Sequence, residues 1–70
     1  MDENRLRAKI VEMGFNIGSF CKATGFVRST FERKLSGSTE FDRSEIERIV
    51  IALDMTDREI MRVFFAGLGA

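Results

Sequence analysis

Residues 16–37 read NIGSFCKATGFVRSTFERKLSG, and this stretch predicts two short helices joined by a tight turn. Asn16 is a residue type that caps a helix start, and Gly25 stands where a helix would end in the left-handed conformation. The second helix carries Phe31 and Leu35 one turn apart, which gives it an apolar side and leaves its basic residues on the other sides. The pattern therefore predicts a helix, a turn and a second helix with a basic outer surface.

The same stretch resembles the helix-turn-helix of the phage repressor and Cro family, also called XRE-type regulators. The resemblance rests on a small residue in the first helix, a glycine and an apolar residue in the turn, and the polar start and the end of the second helix. These are Cys21, Gly25, Phe26, Arg28-Ser29-Thr30-Phe31 and Leu35-Ser36-Gly37. Residues 4–66 follow the family's plan, which implies an all-α, five-helix, lambda-repressor-like bundle. It also implies that residues 1–70 form a single DNA-binding domain.

The start of the second helix of this stretch has two interpretations. Alignment with the family places the N-cap at Val27, whose side chain cannot accept a hydrogen bond. Capping chemistry instead prefers Ser29, which has Glu32 three residues later. If Val27 is the cap, Arg28 and Ser29 lie at the exposed tip; if Ser29 is the cap, its hydroxyl is bonded to the backbone.

Apolar spacing and capping patterns predict three further helices. They are Glu3 to Met13, Arg43 to about Asp54, and Asp57 to about Ala66, with Gly67 after the last. Capping-box spacings precede the last two, namely Asp42 with Glu45 and Thr56 with Glu59. The residues predicted to face the core from the first and fourth helices are Leu6, Ile10, Met13, Ile46, Ile49, Val50 and Leu53. Phe41, in the loop before the fourth helix, is predicted to fill the core from that side.

The composition argues against several classes of protein. The chain has 70 residues, one cysteine and no histidine, so it has no disulfide framework, no cysteine–histidine pair and no zinc-ligand set. We therefore expect no enzymatic activity and no cofactor, and we expect Cys21 to be a small core residue. The longest apolar run, residues 49–53, is too short to span a membrane, and the charged N-terminus does not resemble a signal peptide. A cytoplasmic location is predicted.

The charges are unevenly distributed although the net charge is zero. Residues 16–37 carry four basic residues against one acidic residue, whereas residues 38–70 carry seven acidic against four basic. The positive surplus therefore lies on the predicted helix-turn-helix, where contacts to phosphate would need it.

The resemblance implies two sets of DNA contacts. The residues expected to contact bases are Arg28, Ser29, Glu32 and Arg33. A guanidinium can donate two hydrogen bonds to guanine, whereas Glu32 either accepts from cytosine or orients a neighbouring arginine. The residues expected along the DNA backbone are Asn16, Ile17, Thr30, Lys34, Ser36, Ser38, Thr39 and Arg43. Two of these have alternatives, because Lys34 can equally be solvated and Ile17 stands where the family often has a glutamine.

The fifth helix has more large apolar residues than one narrow stripe can bury. These are Ile60, Met61, Phe64, Phe65 and Leu68. Four of them, Met61, Phe64, Phe65 and Leu68, are predicted to form a two-fold homodimer interface. The alternative is that Phe64 and Phe65 both pack under the first helix.

Two functions follow from these observations. The first is a sequence-specific transcriptional regulator that binds a palindromic double-stranded DNA operator as a homodimer and acts as a repressor. The ending of the chain, with Ser44-Glu45-Ile46 and then Phe64-Phe65, looks like that of short Cro-like proteins of Gram-positive phages. The alternative uses the same fold as a protein-interaction module, such as an antirepressor or inhibitor, and is motivated by the zero net charge and the acidic C-terminal half.

Overall fold

Five α-helices follow one another along the chain in the computed structural model, which describes residues 1–66. They are α1 (Glu3–Glu12), α2 (Ile17–Thr24), α3 (Arg28–Leu35), α4 (Arg43–Ala52) and α5 (Asp57–Phe64). This described part of the chain contains no strand, so the predicted all-α class with five helices is confirmed. None of the five has the length and apolar character that crossing a membrane requires.

Polar side chains start four of the five helices. These N-caps are Asp2, Asn16, Asp42 and Thr56. Asn16 accepts a hydrogen bond from the Ser19 N–H at 2.8 Å, and the Ser19 hydroxyl accepts one from the Asn16 N–H at 3.0 Å. Glu45 and Glu59 complete the two predicted capping boxes in the same way. Each cap of this kind stabilises a helix by about 1 kcal/mol, so the starts of these helices are fixed locally.

Residues with positive φ follow the ends of four helices. They are Gly14, Gly25, Gly37 and Asp54. Asp54, with φ of 48°, differs from the other three in not being a glycine. Its N–H donates to the Ile51 carbonyl at 3.2 Å. The next N–H, that of Met55, donates to the Val50 carbonyl at 3.1 Å, which completes the bonding pattern of a left-handed helix end. Because of this turn, α4 ends at Ala52, before the predicted Asp54.

A cluster of phenylalanine rings forms the centre of the core. Phe31 of α3 lies 5.6 Å from Phe20, 5.1 Å from Phe26 and 5.5 Å from Phe41, measured between ring centroids. Phe41 also contacts Phe64 edge-on at 6.4 Å, which joins the loop after α3 to α5. The prediction that Phe41 fills the core from the loop is therefore confirmed.

The predicted apolar stripes are mostly confirmed, with one error. Leu6, Ile10, Ile49 and Leu53 are fully buried, and Ile46 and Val50 are half-buried. The placement of Met13 in the core is wrong, because its side chain is 39% exposed. α1 ends at Glu12, and the turn at Gly14 brings Phe15 against Phe20 at 5.4 Å. Phe15 therefore takes the place that the helical spacing assigned to Met13.

The fifth helix buries a residue that the spacing did not single out. Val63 is 3% exposed, and its carbonyl accepts a hydrogen bond from the Asp2 N–H at 2.7 Å. α5 ends at Phe64, before the predicted Ala66. The two remaining residues predicted for this end, Gly67 and Leu68, lie outside the described residues.

An ion pair also joins α1 to α5. Lys9 Nζ lies 2.8 Å from Glu59 Oε2, and the Lys9 side chain is only 11% exposed. The hydrogen bond from Lys9 lowers the pKa of Glu59, and the same bond raises the pKa of Lys9. The pKa of Asp42 is also lowered, chiefly by the hydrogen bond from the Glu45 backbone.

Replacing Asp54 with glycine is expected to stabilise the fold. A side chain at positive φ raises the energy of the folded state, so Asp54→Gly should increase the free energy of unfolding by about 0.5–1 kcal/mol. Urea denaturation followed by circular dichroism measures this, and the slope with urea should not change. The matched control is Gly25→Ala at φ of 83°, which should lower the free energy of unfolding by about 1 kcal/mol or more. A stability loss in Asp54→Gly would contradict this account of the helix end.

Acid is expected to destabilise the fold partly through Glu59 and Asp42. A carboxylate whose folded pKa is lowered adds stability that is complete above its unfolded pKa, ordinarily 4.5 for Glu59 and 3.8 for Asp42. That stability is lost as the pH falls through the lower folded value. Glu59→Gln should therefore flatten the decline of the unfolding free energy below pH 4.5, as measured by urea titrations at a series of pH values. Glu40→Gln, in an exposed loop, is the control, and an equal flattening in both variants would refute the role of the Lys9 pair.

Candidate nucleic-acid interface

α2 and α3 pack against each other through adjacent apolar side chains. Phe20 and Cys21 of α2 are buried together with Phe31 and Leu35 of α3. The Gly25 N–H donates to the Cys21 carbonyl at 2.8 Å, so the chain leaves α2 through a left-handed residue and enters α3 three residues later. The small volume of Cys21 suits this close packing, as predicted.

The structure decides between the two predicted starts of α3. Val27 is the N-cap, with extended φ and ψ of −72° and 123° and no side-chain hydrogen bond to the helix. The first helical bond runs from the Phe31 N–H to the Val27 carbonyl at 2.9 Å. Ser29 is therefore not the cap; it lies in the first turn of α3, and its side chain is exposed together with Arg28.

The four residues predicted to contact bases lie on one exposed side of α3. They are Arg28, Ser29, Glu32 and Arg33, and each is exposed. Successive residues of a helix are about 100° apart, so these four side chains project within an arc of about 140°. The sequence-predicted set is thus brought together on one surface, which carries two positive charges and one negative charge.

Glu32 is placed to orient Arg28. Arg28 Nε lies 3.7 Å from Glu32 Oε2, and the two side chains are 63% and 47% exposed. An ion pair this long and this exposed is weak, so Arg28 can leave it for another acceptor. Arg33 forms no ion pair with any residue in 1–66, and its backbone carbonyl accepts a hydrogen bond from the Ser36 hydroxyl at 3.0 Å.

Lys34 lies apart from this surface. Its Nζ is 2.6 and 2.7 Å from the two carboxylate oxygens of Glu45, and its side chain is 18% exposed. The pair links the end of α3 to the start of α4. Because the ammonium group is directed at a carboxylate of the same chain, Lys34 is not brought together with the other predicted backbone contacts. The alternative of a solvated lysine does not fit a side chain that is 18% exposed, and the phosphate contact stays a prediction.

The remaining predicted backbone contacts are spread over the start of α2, the middle of α3 and the loop before α4. Ser36, Ser38 and Thr39 are exposed, whereas Ile17 and Thr30 are half-buried. Asn16 and Arg43 are exposed, but the side chain of each already bonds to another group of the chain. Asn16 caps α2, and Arg43 Nε donates to Glu47 Oε1 at 3.2 Å. The start of α2 therefore offers backbone N–H groups and the cap, but no cationic side chain of its own.

Sequence reasoning did not identify two residues that shape this surface. Arg48 of α4 lies over the ring of Phe26, with its guanidinium carbon 4.7 Å from the ring centroid, and its Nη1 is 3.5 Å from the Thr24 carbonyl. Arg48 thereby links α4 to Phe26, in the turn between α2 and α3, and to Thr24, at the end of α2. Gly18 of α2 lies beside the guanidinium of Arg28. Neither contact has a sequence signal, because the partners are many residues apart.

Cys21 is an inert part of the core. Its side chain is 3% exposed, and burial raises the pKa of the thiol even though the charge of nearby Arg28 acts in the opposite direction. A thiol with a raised pKa carries little nucleophilic thiolate at neutral pH. Within residues 1–66, moreover, no group of three or more Cys, Asp or Glu side chains is arranged to hold a metal ion.

A second exposed surface is apolar and lies on α4 and α5. Ile51 is 79% exposed, Met61 is 56% exposed and Phe65 is 38% exposed. Ile51 and Phe65 line a shallow groove together with Ile46, Val50 and Ile60. Of the predicted dimer residues, Met61 and Phe65 are therefore exposed, whereas Phe64 is half-buried against Phe41. The fourth, Leu68, lies outside the described residues.

No protein-family model, no curated protein and no solved structure matches this chain. Any function must therefore be inferred from the residues and geometry described above.

Proposed function

We propose that this protein is a sequence-specific, Cro-like DNA-binding regulator that acts as a repressor and inserts α3 into the major groove. The observation that carries the proposal is the exposed side of α3, where Arg28 and Arg33 project from a short helix that directly follows a tight turn. The major groove is about 12 Å wide and admits one helix. A helix with its arginines exposed and its opposite side buried is suited to that position.

The arginines supply the base contacts in this proposal. A guanidinium can donate two parallel hydrogen bonds to O6 and N7 of guanine, and such a contact discriminates against other bases by about 1–3 kcal/mol. The hydroxyl of Ser29 can hydrogen-bond to either type of base, and Glu32 orients Arg28. The exposed Ser38 and Thr39 are free to contact the sugar-phosphate backbone. Asn16, Ser36 and Arg43 are exposed as well, and each would do so in addition to, or in place of, the bond it makes within the chain. Lys34 is left out because it pairs with Glu45 in a less exposed position.

We also propose that the protein binds its operator as a homodimer. One helix reads only a few base pairs, so two copies on half-sites about one helical turn apart give a longer recognition sequence. The apolar surface of Ile51, Met61 and Phe65 supports this proposal, because a small domain gains stability by burying such a surface against a second copy.

Removing both arginines is expected to abolish specific binding. Arg28→Ala combined with Arg33→Ala should raise the Kd for an operator selected from random duplexes at least about 30-fold, because two guanidinium contacts are lost. Fluorescence anisotropy titrations measure the Kd, and circular dichroism checks that the helices are intact. The matched control is Arg58→Ala with Arg62→Ala, which removes the same charge from the exposed side of α5.

The result also separates the two candidate functions. Unchanged operator binding by the Arg28/Arg33 double variant would refute the role of α3. Failure of the native chain to bind any duplex at micromolar concentration and low salt would instead favour a protein-interaction module, such as an antirepressor or inhibitor.

Charge placed on the apolar surface is expected to separate the copies. Ile51→Glu with Met61→Glu should shift the protein from dimer to monomer in sedimentation experiments, because burying two carboxylates at an apolar interface is unfavourable. Operator binding should weaken in parallel and retain its base preference. Val11→Glu is the control, since Val11 is 68% exposed on α1 and outside this surface. A native chain that sediments as a monomer at high concentration and on DNA would contradict the dimer.

A further inference from the structure

Arg28 extends from α3 across to the first turn of α2, where it meets Gly18. A Cβ atom built on Gly18 would lie 3.0 Å from Arg28 Nη1, 3.8 Å from Arg28 Cζ and 3.4 Å from Asn16 Oδ1. A distance of 3.0 Å is below ordinary van der Waals contact, so even a methyl group would require the guanidinium to move by a few tenths of an ångström. The missing side chain at position 18 leaves the space that the guanidinium uses.

The backbone of α2 gives no other reason for a glycine at this position. The glycines with positive φ are Gly14, Gly25 and Gly37, whereas Gly18 lies inside α2 in a conformation that any residue adopts. A glycine inside a helix is less favourable than alanine, because the unfolded chain has more conformational freedom to lose. Helix propensity alone would therefore favour alanine at this position, which leaves the space beside Arg28 and the Asn16 cap as the use of the glycine.

Two neighbours border the guanidinium of Arg28. On one side Arg28 Nε faces Glu32 at 3.7 Å, and on the other side Nη1 faces Gly18. The Arg28 side chain is 63% exposed and has several rotatable bonds, so these neighbours restrict its rotamers only in part. A guanidinium that is already restricted loses less freedom when it binds.

We propose that Gly18 is a positioning residue for Arg28, and that it determines which base or phosphate the Arg28 guanidinium reaches on DNA. This inference rests on the proposed function, since it concerns the contact that Arg28 makes there. A side chain at position 18 displaces the guanidinium from α2, by a small distance for alanine and by a larger one for leucine. Operator recognition should then change while the fold remains stable.

The experiment compares Gly18→Ala, Gly18→Leu and Arg28→Ala with the two corresponding double variants. Gly18→Ala should leave the Tm unchanged or raise it by at most about 8 °C. Operator affinity should nevertheless fall, modestly for Gly18→Ala and towards the level of Arg28→Ala, about 5- to 150-fold, for Gly18→Leu. In the Arg28→Ala background, substitutions at position 18 should have no further effect, and the base preference lost by Gly18→Leu should be the one lost by Arg28→Ala.

A second measurement tests the positioning without DNA. The heteronuclear NOE of the Arg28 Nε–Hε group should be higher, which means less motion, in the native protein than in Gly18→Leu. Ala23→Leu is the matched control, because it adds nearly the same bulk at an exposed position of α2. It should leave both the NOE and operator binding unchanged.

Two outcomes would overturn the inference. One is that Gly18→Leu binds the native operator with the native affinity and base preference. The other is that its effect on affinity is the same whether residue 28 is arginine or alanine. If the native chain binds no duplex, the proposed function fails, and the Arg28 NOE alone then decides whether Gly18 positions the side chain.

Discussion

The packing of aromatic rings around Phe31 holds α3 in place, and the geometry of the exposed arginines depends on it. Phe31 contacts rings from α2, from the turn and from the loop before α4. α2 and α3 have eight residues each, whereas isolated helices shorter than about 12–15 residues are marginal in water. Each aromatic pair adds about 0.5–1.5 kcal/mol beyond the burial of its area. The positions of these two helices are therefore set by this cluster and not by their own helical stability.

Intramolecular contacts also decide which of the positive charges remain on the surface. Lys34 is neutralised by Glu45, and Lys9 by Glu59, in pairs that are largely shielded from water. Arg48 is turned onto the ring of Phe26. Arg28 and Arg33 are exposed on α3, and Arg48 also stays exposed on α4. The zero net charge of the chain is consistent with a local positive surface on α3, because the acidic surplus that balances it lies in residues 38–70.

Much of the fold was predictable because its signals are local. Capping boxes span four residues, and the N-caps at Asn16, Asp42 and Thr56 were all identified from sequence. The errors occurred where the chain leaves a helix. Helical spacing placed Met13 in the core, but the turn at Gly14 delivers Phe15 there instead. Likewise α4 ends at Ala52, slightly before the predicted end at about Asp54, because Asp54 itself adopts the left-handed conformation that glycine usually adopts.

By itself the sequence determined five helices and the caps of α2, α4 and α5, since hydrogen bonds and apolar spacing within a few residues control these features; the start of α3 was left open between Val27 and Ser29. Only the tertiary structure decided which charged side chains pair or stack across helices. Lys34 and Glu45 are 11 residues apart, and Arg48 and Thr24 are 24 residues apart. Gly18 and Arg28 lie on different helices. Such partners meet only when the helices pack, so no spacing rule along the chain could reveal that Lys34 pairs with Glu45 or that Arg28 lies beside Gly18.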